Sequence, residues 1–328
     1  MDCMKGVSPR TKLPATSQPL GNSNLIEMFL QDCHIRGLTK RTIDNYASNL
    51  KTFFGRVKRP AQEVELSELR KFLTWLRDER HLADSTISMY YSTLHSFYEY
   101  LEFEGYIESN IIPKFRRRYL AFLRRNNRSS SGNRERQLIS IGEMRKLINS
   151  IINPRDKAVV TLLAKTGIRR QELVNIDIDD IDWIEQSITL KPTPKRTNRL
   201  VFFDDECARI LRRWLQNRNN WHINEKMNAL FVNDQGMRLN RNGIYNIVTK
   251  HAQRLGLHDP HSKDLRKKFT PHCCRHWFTT HLRRAGMPRE HIKELRGDSH
   301  AETMDIYYHI DRKELRDSYL AHIPQLAI

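Results

Sequence analysis

Apolar side chains recur every three or four positions through the first third of the chain, the spacing that places them on one face of an α-helix. Four such runs are separated by short polar breaks, and Gly105 follows the last run as a typical helix-ending residue. We therefore predict a helical bundle over residues 22–108, with Ser67 and Ser85 capping two of its helices. The four runs are Leu25, Ile26, Phe29 and Leu30; Ile43, Tyr46, Leu50 and Phe53; Leu69, Phe72, Leu73 and Leu76; and Ile87, Tyr90, Leu94, Phe97 and Leu101.

The pattern changes in the second part of the chain, where helical spacing surrounds two short runs rich in β-forming residues. These runs, 187–190 and 200–203, are joined by a basic segment, which predicts a hairpin. The sequence therefore predicts a mixed, mainly α domain with a small β-sheet over residues 137–328. Helices are predicted over 141–152, from 154, over 206–215 and 241–255, and from 275.

Two segments lack this periodicity. Residues 1–21 are rich in Pro, Ser and Thr, and we predict a flexible tail. Residues 109–136 are predicted to be a linker with a short helical stretch near 119–123. Nine lysines and arginines lie between Lys114 and Arg136, against one acid, Glu135. Such a basic segment favours contact with phosphates.

The composition indicates which class of partner the protein binds and in which compartment it is found. Lys and Arg number 56 against 38 Asp and Glu, for a net charge of +18, which favours a polyanionic partner and nucleic acid above all. No apolar run approaches the roughly 20 residues of a membrane span, and no signal peptide is evident. We therefore predict a cytoplasmic, nucleoid-associated protein without a membrane partner. Five cysteines without framework spacing indicate reduced thiols. The adjacent Cys273 and Cys274 do not have the spacing of a structural zinc site, so no metal is predicted.

Four polar features of the second domain are candidates for chemistry. Taken singly each is ordinary, because a solvated arginine, a hydrogen-bonded structural histidine and a half-buried tyrosine are all common. Their order along the chain is Arg, Lys, His-x-x-Arg and Tyr. The features are Thr166-Gly167-Ile168-Arg169-Arg170-Gln171-Glu172; the basic segment from Lys191 to Arg199; His272-Cys273-Cys274-Arg275-His276; and Gly297-Asp298-Ser299-His300 followed by Tyr307-Tyr308-His309.

This order, after a helical domain and a basic linker, resembles the tyrosine recombinase (phage integrase) family over residues 22–328. The resemblance implies a helical core-binding domain and a catalytic domain that together clamp duplex DNA. It also implies strand cleavage through a 3′-phosphotyrosyl intermediate, with no need for ATP, a metal or another cofactor. Further positions at family spacing are Thr280-His281-Leu282, Ala285-Gly286, Gly297, Thr303, Tyr307 and His309.

The resemblance implies a role for each matched residue. Arg169 and Arg275 match the two family arginines, whose planar guanidinium groups suit the nonbridging oxygens of a phosphate. Tyr307 matches the nucleophile, and the adjacent Tyr308 is the alternative. His272 matches a general acid or base.

The leaving 5′-oxygen needs a proton, and the family places a lysine for this purpose in the strand-connecting segment. We predict Lys195, with Lys191 as the alternative. Glu172 follows Arg169 by three residues, and the sequence leaves open whether it orients an arginine or is an ordinary surface acid. Arg170, if helical with Arg169, is expected to point elsewhere.

The last feature departs from the family, since Asp298 stands where a histidine is usual. A carboxylate with an ordinary pKa near 3.9 does not donate a proton at neutral pH, so we expect Asp298 to orient Tyr307 or Arg275 by accepting a hydrogen bond. His300 is the alternative for the missing histidine. The Gly-Asp pair resembles integrases from archaeal genomes and viruses, and therefore favours an archaeal source and a mobile element.

The sequence thus predicts a site-specific DNA recombinase for the integration or excision of a mobile element at a specific attachment site. A chromosome or plasmid dimer resolvase, a type IB topoisomerase and a noncatalytic DNA-binding protein are the alternatives. Joining two duplexes takes four strand cuts, so one nucleophile per chain implies a tetramer on DNA. The apolar residues of 311–328 fit a segment that docks either on a neighbouring protomer or on its own domain.

Overall fold

We analysed a computed structural model that describes residues 21–121, 136–192, 196, 198–221, 227–262, 264–298 and 310–328. Residues 1–20 of the predicted tail, half of the predicted basic linker (122–135), Lys195, His300, Tyr307 and Tyr308 lie outside the described residues. The chain divides into two compact units, residues 1–130 and 131–328. Both are mainly helical, as predicted.

The first unit is a helical bundle around an aromatic-rich core. Most residues of the predicted helical faces are buried and the rest pack partly buried against them, with Phe29 edge-on against Phe97 and Phe53 against Phe72. Residues 112–120, inside the segment predicted as linker, are helical, and Ile112 and Phe115 are buried in this same core. The helices are α1 Asn22–Ile35, α2 Lys40–Arg56, α3 Leu66–Thr74, α4 Asp84–Phe103 and α5 Ile112–Phe115, with π-helical turns at Trp75–Glu79 and Arg116–Leu120.

The two predicted serine caps are wrong. The N-cap of α3 is Glu65, because the Glu68 carboxylate accepts hydrogen bonds from the Glu65 backbone N–H and from the Ser67 hydroxyl. α4 begins one residue before Ser85. Gly105, predicted to end α4, lies two residues beyond its last residue in the left-handed region, at φ +78°.

The second unit surrounds a three-stranded antiparallel sheet with helices. The predicted hairpin is present, since Ile188 pairs with Val201 and Thr189 with Leu200. A first short strand, Ile181–Asp182, which the sequence did not indicate, pairs with the other edge of the strand Ser187–Thr189. The elements are α6 Ile141–Asn149, α7 Pro154–Thr166, α8 Arg170–Asn175, β1 Ile181–Asp182, β2 Ser187–Thr189, β3 Leu200–Phe202, α9 Asp205–Arg218, α10 Arg241–Arg254, α11 Pro271–Arg284, α12 Arg289–Arg296 and α13 Arg312–His322.

Helix α7 runs through the middle of this unit, and all but two of its residues are buried. It packs on α9 and α11 and ends at Gly167. Gly167 adopts φ +61°, and a Cβ there would lie 2.4 Å from the Phe278 ring of α11. Glycine at this position therefore sets both the end of α7 and its close approach to α11. None of the described helices combines the length and the apolar character that a membrane crossing requires.

The C-terminal segment packs on its own unit, the second of the two alternatives. Leu315, Tyr319 and Ile323 are buried, and the Tyr319 hydroxyl donates to the Lys165 carbonyl at 3.0 Å. The Lys165 ammonium, which has no exposed surface, donates to Asp204 at 2.5 Å, to Glu206 at 2.6 Å and to the Pro324 carbonyl at 2.8 Å. A buried cation between two carboxylates thus joins α7, α9 and the C-terminal segment.

Replacement of Lys165 by Met is expected to lower the free energy of unfolding by about 3–5 kcal/mol, because it leaves two buried carboxylates without their cation. Urea denaturation measures this change. The matched control is Lys146→Met, which removes an exposed lysine of α6 and should stay within about 0.5 kcal/mol of the parent protein. An equal loss for both variants contradicts the assignment.

Candidate active site

Arg169 is fixed by the start of helix α8. It is the N-cap residue, and Glu172 lies one turn into the helix. The Glu172 carboxylate accepts from the Arg169 backbone N–H at 2.7 Å and from its Nη1 at 3.0 Å. The Glu172 side chain is only 2% exposed. Of the two alternatives for this acid, the structure therefore shows the one in which it orients an arginine.

Arg275 is carried by α11 and is buried. Its Nη1 donates to the Gly167 carbonyl at 2.8 Å, and its Nη2 donates to the Arg296 carbonyl at 2.9 Å. Burial, followed by the neighbouring charges of Arg169 and Arg296, lowers the pKa of Arg275 to about 10. The group thus keeps its positive charge at neutral pH, held by the end of α7 and the end of α12.

Asp298 joins the two arginines. Its Oδ1 accepts from Arg169 Nη2 at 3.0 Å and from Arg275 Nη2 at 2.9 Å, while its Oδ2 lies 2.9 Å from Arg296 Nε. The preceding Gly297 has φ +58° and turns the chain at the end of α12, which brings the carboxylate to this position. The expected hydrogen bond from Arg275 is therefore present. The predicted contact with Tyr307 lies outside the described residues.

A cavity of about 360 Å³ opens beside these arginines. Arg170 also lines it and places its guanidinium carbon 5.5 Å from the centre of the Tyr245 ring, whereas the Arg169 guanidinium contacts Glu172 and Asp298. The two arginines therefore have different partners, as expected, but not for the expected reason of two successive helical residues, since α8 begins at Arg170 and Arg169 has extended backbone angles. The lining residues are Ile168, Arg169, Arg170, Gln171, Arg241, Pro271, His272 and Arg275.

His272 lies on the wall of this cavity, at the start of α11. The imidazole is exposed, yet partial loss of its hydration, followed by the positive charge of Arg136 and Arg275, lowers its pKa to about 4. Neutral imidazole is therefore the form present at neutral pH before an anion binds, and it has a nitrogen able to accept a proton. A bound phosphate would offset the positive charges and raise this pKa again.

The lysine predicted as general acid is not located by the structure, because Lys195 lies outside the described residues. The alternative, Lys191, forms an ion pair with Asp177 and lies 3.8 Å from Asp180, at the strand end. The pKa of Asp177 is lowered by its hydrogen bonds to Lys191 and Arg238, which outweigh the effect of burial. Lys191 is thus held by these two neighbouring carboxylates.

Two arginines of this cluster were missed by the sequence reasoning. Arg196 has a side chain 1% exposed, and it donates to Glu172 at 3.3 Å. Arg296 is the third partner of Asp298. No short motif marks either residue, since the contacts of Arg196, apart from a bond to the nearby Asn198 carbonyl, join residues 24 to 100 positions apart.

Four guanidinium groups and two carboxylates meet here, which leaves a net charge of +2. The guanidinium groups are those of Arg169, Arg196, Arg275 and Arg296, and the carboxylates are those of Glu172 and Asp298. An excess of positive charge, carried by two buried and two partly exposed arginines beside an open cavity, is suited to a phosphate. The partial pairing holds the arginines in place before the anion arrives. In the parts of the chain that the structure describes, no three His, Cys, Asp or Glu side chains are grouped to hold a metal ion.

Comparison with protein families adds an independent observation. Residues 138–314 match the phage integrase family, and residues 25–107 match the N-terminal SAM-like domain of phage integrases. The chain is 29% identical over 319 residues to the tyrosine recombinase XerC of Bacillus subtilis, covering 92% of this chain and 97% of that protein. It is 31% identical over 300 residues to XerC of Herpetosiphon aurantiacus, covering 87% and 90%.

Solved structures share the fold. The Tn1549 transposon integrase in complex with transposon right end DNA superposes with a TM-score of 0.66 at 18% identity, covering 89% of this chain and 97% of that one. The XerH site-specific recombinase bound to palindromic difH substrate gives a TM-score of 0.64 at 20% identity, covering 91% and 84%. At these identities the likeness concerns the fold.

The depressed pKa of His272 makes a direct prediction for nuclear magnetic resonance. We expect its imidazole to titrate between pH 4 and 6.5 in the free protein, since solvent screens part of the effect, and at higher pH with duplex DNA bound. In the unfolded chain the pKa of His272 returns to 6.5. Between the folded and unfolded pKa values the unfolded state therefore binds more protons, so the contribution of His272 to stability falls as the pH falls through this window.

The His272 signal is assigned as the one that is absent from the spectrum of the His272→Gln variant. A midpoint at or above 6.5 in the free protein contradicts this electrostatic description of the cavity.

Proposed function

Because the chain belongs to the phage integrase family, we propose that it is a site-specific DNA recombinase that cuts and rejoins duplex DNA through a 3′-phosphotyrosyl intermediate. The observation that carries this proposal is the convergence of Arg169 and Arg275 on Asp298 Oδ1, beside a cavity that His272 also lines. Two positive groups at one point suit the two nonbridging oxygens of a single phosphodiester. That arrangement is what strand transfer requires.

In the proposed cleavage step the Tyr307 oxygen attacks phosphorus, and the bond from phosphorus to the 5′-oxygen breaks. Neutral His272 is suited to take the phenol proton, and Lys195 supplies a proton to the departing 5′-oxygen. Arg169 and Arg275 stabilise the extra charge of the pentacoordinate phosphorus. The phosphotyrosyl bond keeps the energy of the broken bond, so rejoining is the same step in reverse with a 5′-hydroxyl as nucleophile.

Asp298 acts in this scheme on the arginines. Because Oδ1 accepts from both guanidinium groups, it sets their separation and orientation. The histidine that is usual in this place has no negative charge with which to attract the two arginines. Hydrogen bonds to Glu172 and Asp298 occupy two of the five guanidinium N–H groups of Arg169. Among the described residues, bonds to Asp298 and to the Gly167 and Arg296 carbonyls occupy three of the five of Arg275. The other N–H groups supply donors for phosphate.

The division of labour along the chain follows the same proposal. Residues 22–108 would bind DNA as a helical core-binding domain, residues 109–136 would track phosphates as a basic linker, and residues 137–328 would carry out catalysis. The split of the chain into two compact units and the two family matches support this division. The active assembly would be a tetramer on DNA at a specific attachment site, since two duplexes need four nucleophiles.

We further propose that the biological reaction is integration or excision of a mobile element. The Gly297-Asp298 pair supports this role and an archaeal source. Resolution of chromosome or plasmid dimers is the alternative, favoured by the similarity to XerC proteins. A reporter plasmid with one attachment site distinguishes the two roles. Insertion of this plasmid into a second, unlike site supports integration. Conversion of its dimer, which has two identical sites, to monomers supports resolution.

A covalent-trapping assay tests the chemistry. DNA that flanks the gene, where an integrase often has its own attachment site, is incubated with the protein, and an adduct that survives detergent and disappears with protease is measured. We expect the parent protein and Tyr308→Phe to form it and Tyr307→Phe to form none, because the phenol oxygen is the bond-forming atom.

Loss of the adduct only in Tyr308→Phe would move the nucleophile by one residue. Relaxation of plasmids without dependence on a site favours the topoisomerase alternative. Tight specific binding without an adduct from the parent protein contradicts the recombinase proposal and favours a noncatalytic DNA-binding protein.

A further inference from the structure

We propose that Arg196 is a positioning residue for strand cleavage, acting at the same time on Arg169 through Glu172 and on Asp298 through the end of helix α12. The inference rests on the proposed function, since it concerns the rate of that reaction. Arg196 lies in the segment between β2 and β3 and is placed among residues of α8 and α12. Its side chain is 1% exposed, so it does not face bulk solvent or DNA.

The first link runs through Glu172. One oxygen of this buried carboxylate accepts from Arg196 Nη1 at 3.3 Å and from the Arg169 backbone at 2.7 Å, while the other accepts from the Arg169 guanidinium at 3.0 Å. Glu172 therefore has cationic partners on two sides. Without Arg196, the carboxylate would be paired on one side only, and its position would no longer be determined by the β2–β3 segment.

The second link runs through the last turn of α12. Arg196 Nη2 donates to the Leu295 carbonyl at 2.8 Å and its Nη1 to the Arg296 carbonyl at 3.0 Å, two of the groups left without partners at a helix end. A cation at this end is also favoured by the helix dipole. Asp298 follows within two residues, so these bonds hold the turn that presents its carboxylate to Arg169 and Arg275.

Gly297 makes this contact close. A Cβ on Gly297 would lie 2.4 Å from Arg196 Cγ and 2.9 Å from its Nε, so the arginine side chain occupies the space that any larger residue would need. Asn198 adds a third bond to the same helix end, from its Nδ2 to the Glu294 carbonyl at 3.1 Å. The β2–β3 segment is therefore fastened to the Gly-Asp turn by three side-chain donations.

Only a planar fork with several donors makes these contacts together. A guanidinium presents five N–H groups in fixed directions, whereas an ammonium is a point donor on a flexible stem. Lysine at position 196 would keep the charge beside Glu172 but lose simultaneous contact with both α12 carbonyls. Methionine would fill similar volume and remove every donor.

The test compares Arg196→Met and Arg196→Lys with the parent protein in single-turnover cleavage of the DNA that gives the covalent adduct, at saturating protein. We expect the rate constant of cleavage to fall on the order of 10–100-fold in Arg196→Met, as small displacements of catalytic groups typically cause. Arg196→Lys should recover part of this loss. The DNA dissociation constant should change by less than about threefold, since the side chain is buried.

The matched control is Arg199→Met, which removes the same charge from an exposed position of the same β2–β3 segment. Its rate constant should stay within about threefold of the parent value. The double variant Arg196→Met with Glu172→Gln should lose little beyond the slower single variant, because both changes break one chain of contacts. A merely structural role predicts a smaller amplitude of cleavage at an unchanged rate constant, and that result would overturn the proposal.

Failure of the recombinase proposal can be told apart from failure of this one. If the parent protein forms no adduct with any DNA, amide hydrogen exchange over residues 295–298 measures the positioning alone. Faster exchange in Arg196→Met than in Arg199→Met supports the role of Arg196 in holding the turn. Equal exchange in the two variants would overturn it.

Discussion

Two carboxylates shared among four guanidinium groups are the interaction on which the rest of the site depends. Repulsion alone would separate Arg169 and Arg275 or drive them into solvent, and a carboxylate for every arginine would leave no charge for a phosphate. Asp298 and Glu172 supply enough negative charge to hold the cluster and leave a net charge of +2. The site is therefore assembled before DNA binds, and the phosphate completes its charge balance.

Distant elements of the second unit must meet within a few ångströms for this cluster to form. Carbonyl groups at helix ends bring them together: Arg275 donates to the carbonyl of Gly167 at the end of α7 and to that of Arg296 at the end of α12. Gly167 and Gly297 make both ends possible, since each has a positive φ and a side chain packed where a Cβ would stand. Backbone carbonyls, not further acids, thus satisfy most of the buried guanidinium donors, and the positive charge is preserved for the substrate.

The extent to which the sequence predicts this structure depends on the range of the contacts. Helices and the β2–β3 hairpin follow from periodicity within ten to twenty residues, and the fold class was predicted correctly. The Glu172 spacing indicated a contact with Arg169, but its burial depends on Arg196, 24 residues further on, so both alternatives stayed open. Arg196 itself has no local signal, because its partners other than the Asn198 carbonyl and Glu172 lie 99 and 100 residues away. The Ser67 and Ser85 caps were wrong because Glu65 and Glu68 form the cap of α3 and because α4 begins at Asp84, after Ala83, a residue without a side-chain acceptor.

The most direct test of this account is a structure of the Tyr307→Phe variant bound to the DNA identified by covalent trapping. We predict one phosphate in the cavity beside α8 and α11, its nonbridging oxygens within about 3 Å of guanidinium nitrogens of both Arg169 and Arg275, with Asp298 still bonded to both arginines. A phosphate held by only one of these arginines, or an Asp298 displaced from them when DNA binds, would contradict the central claim that this carboxylate prepares a single phosphate site.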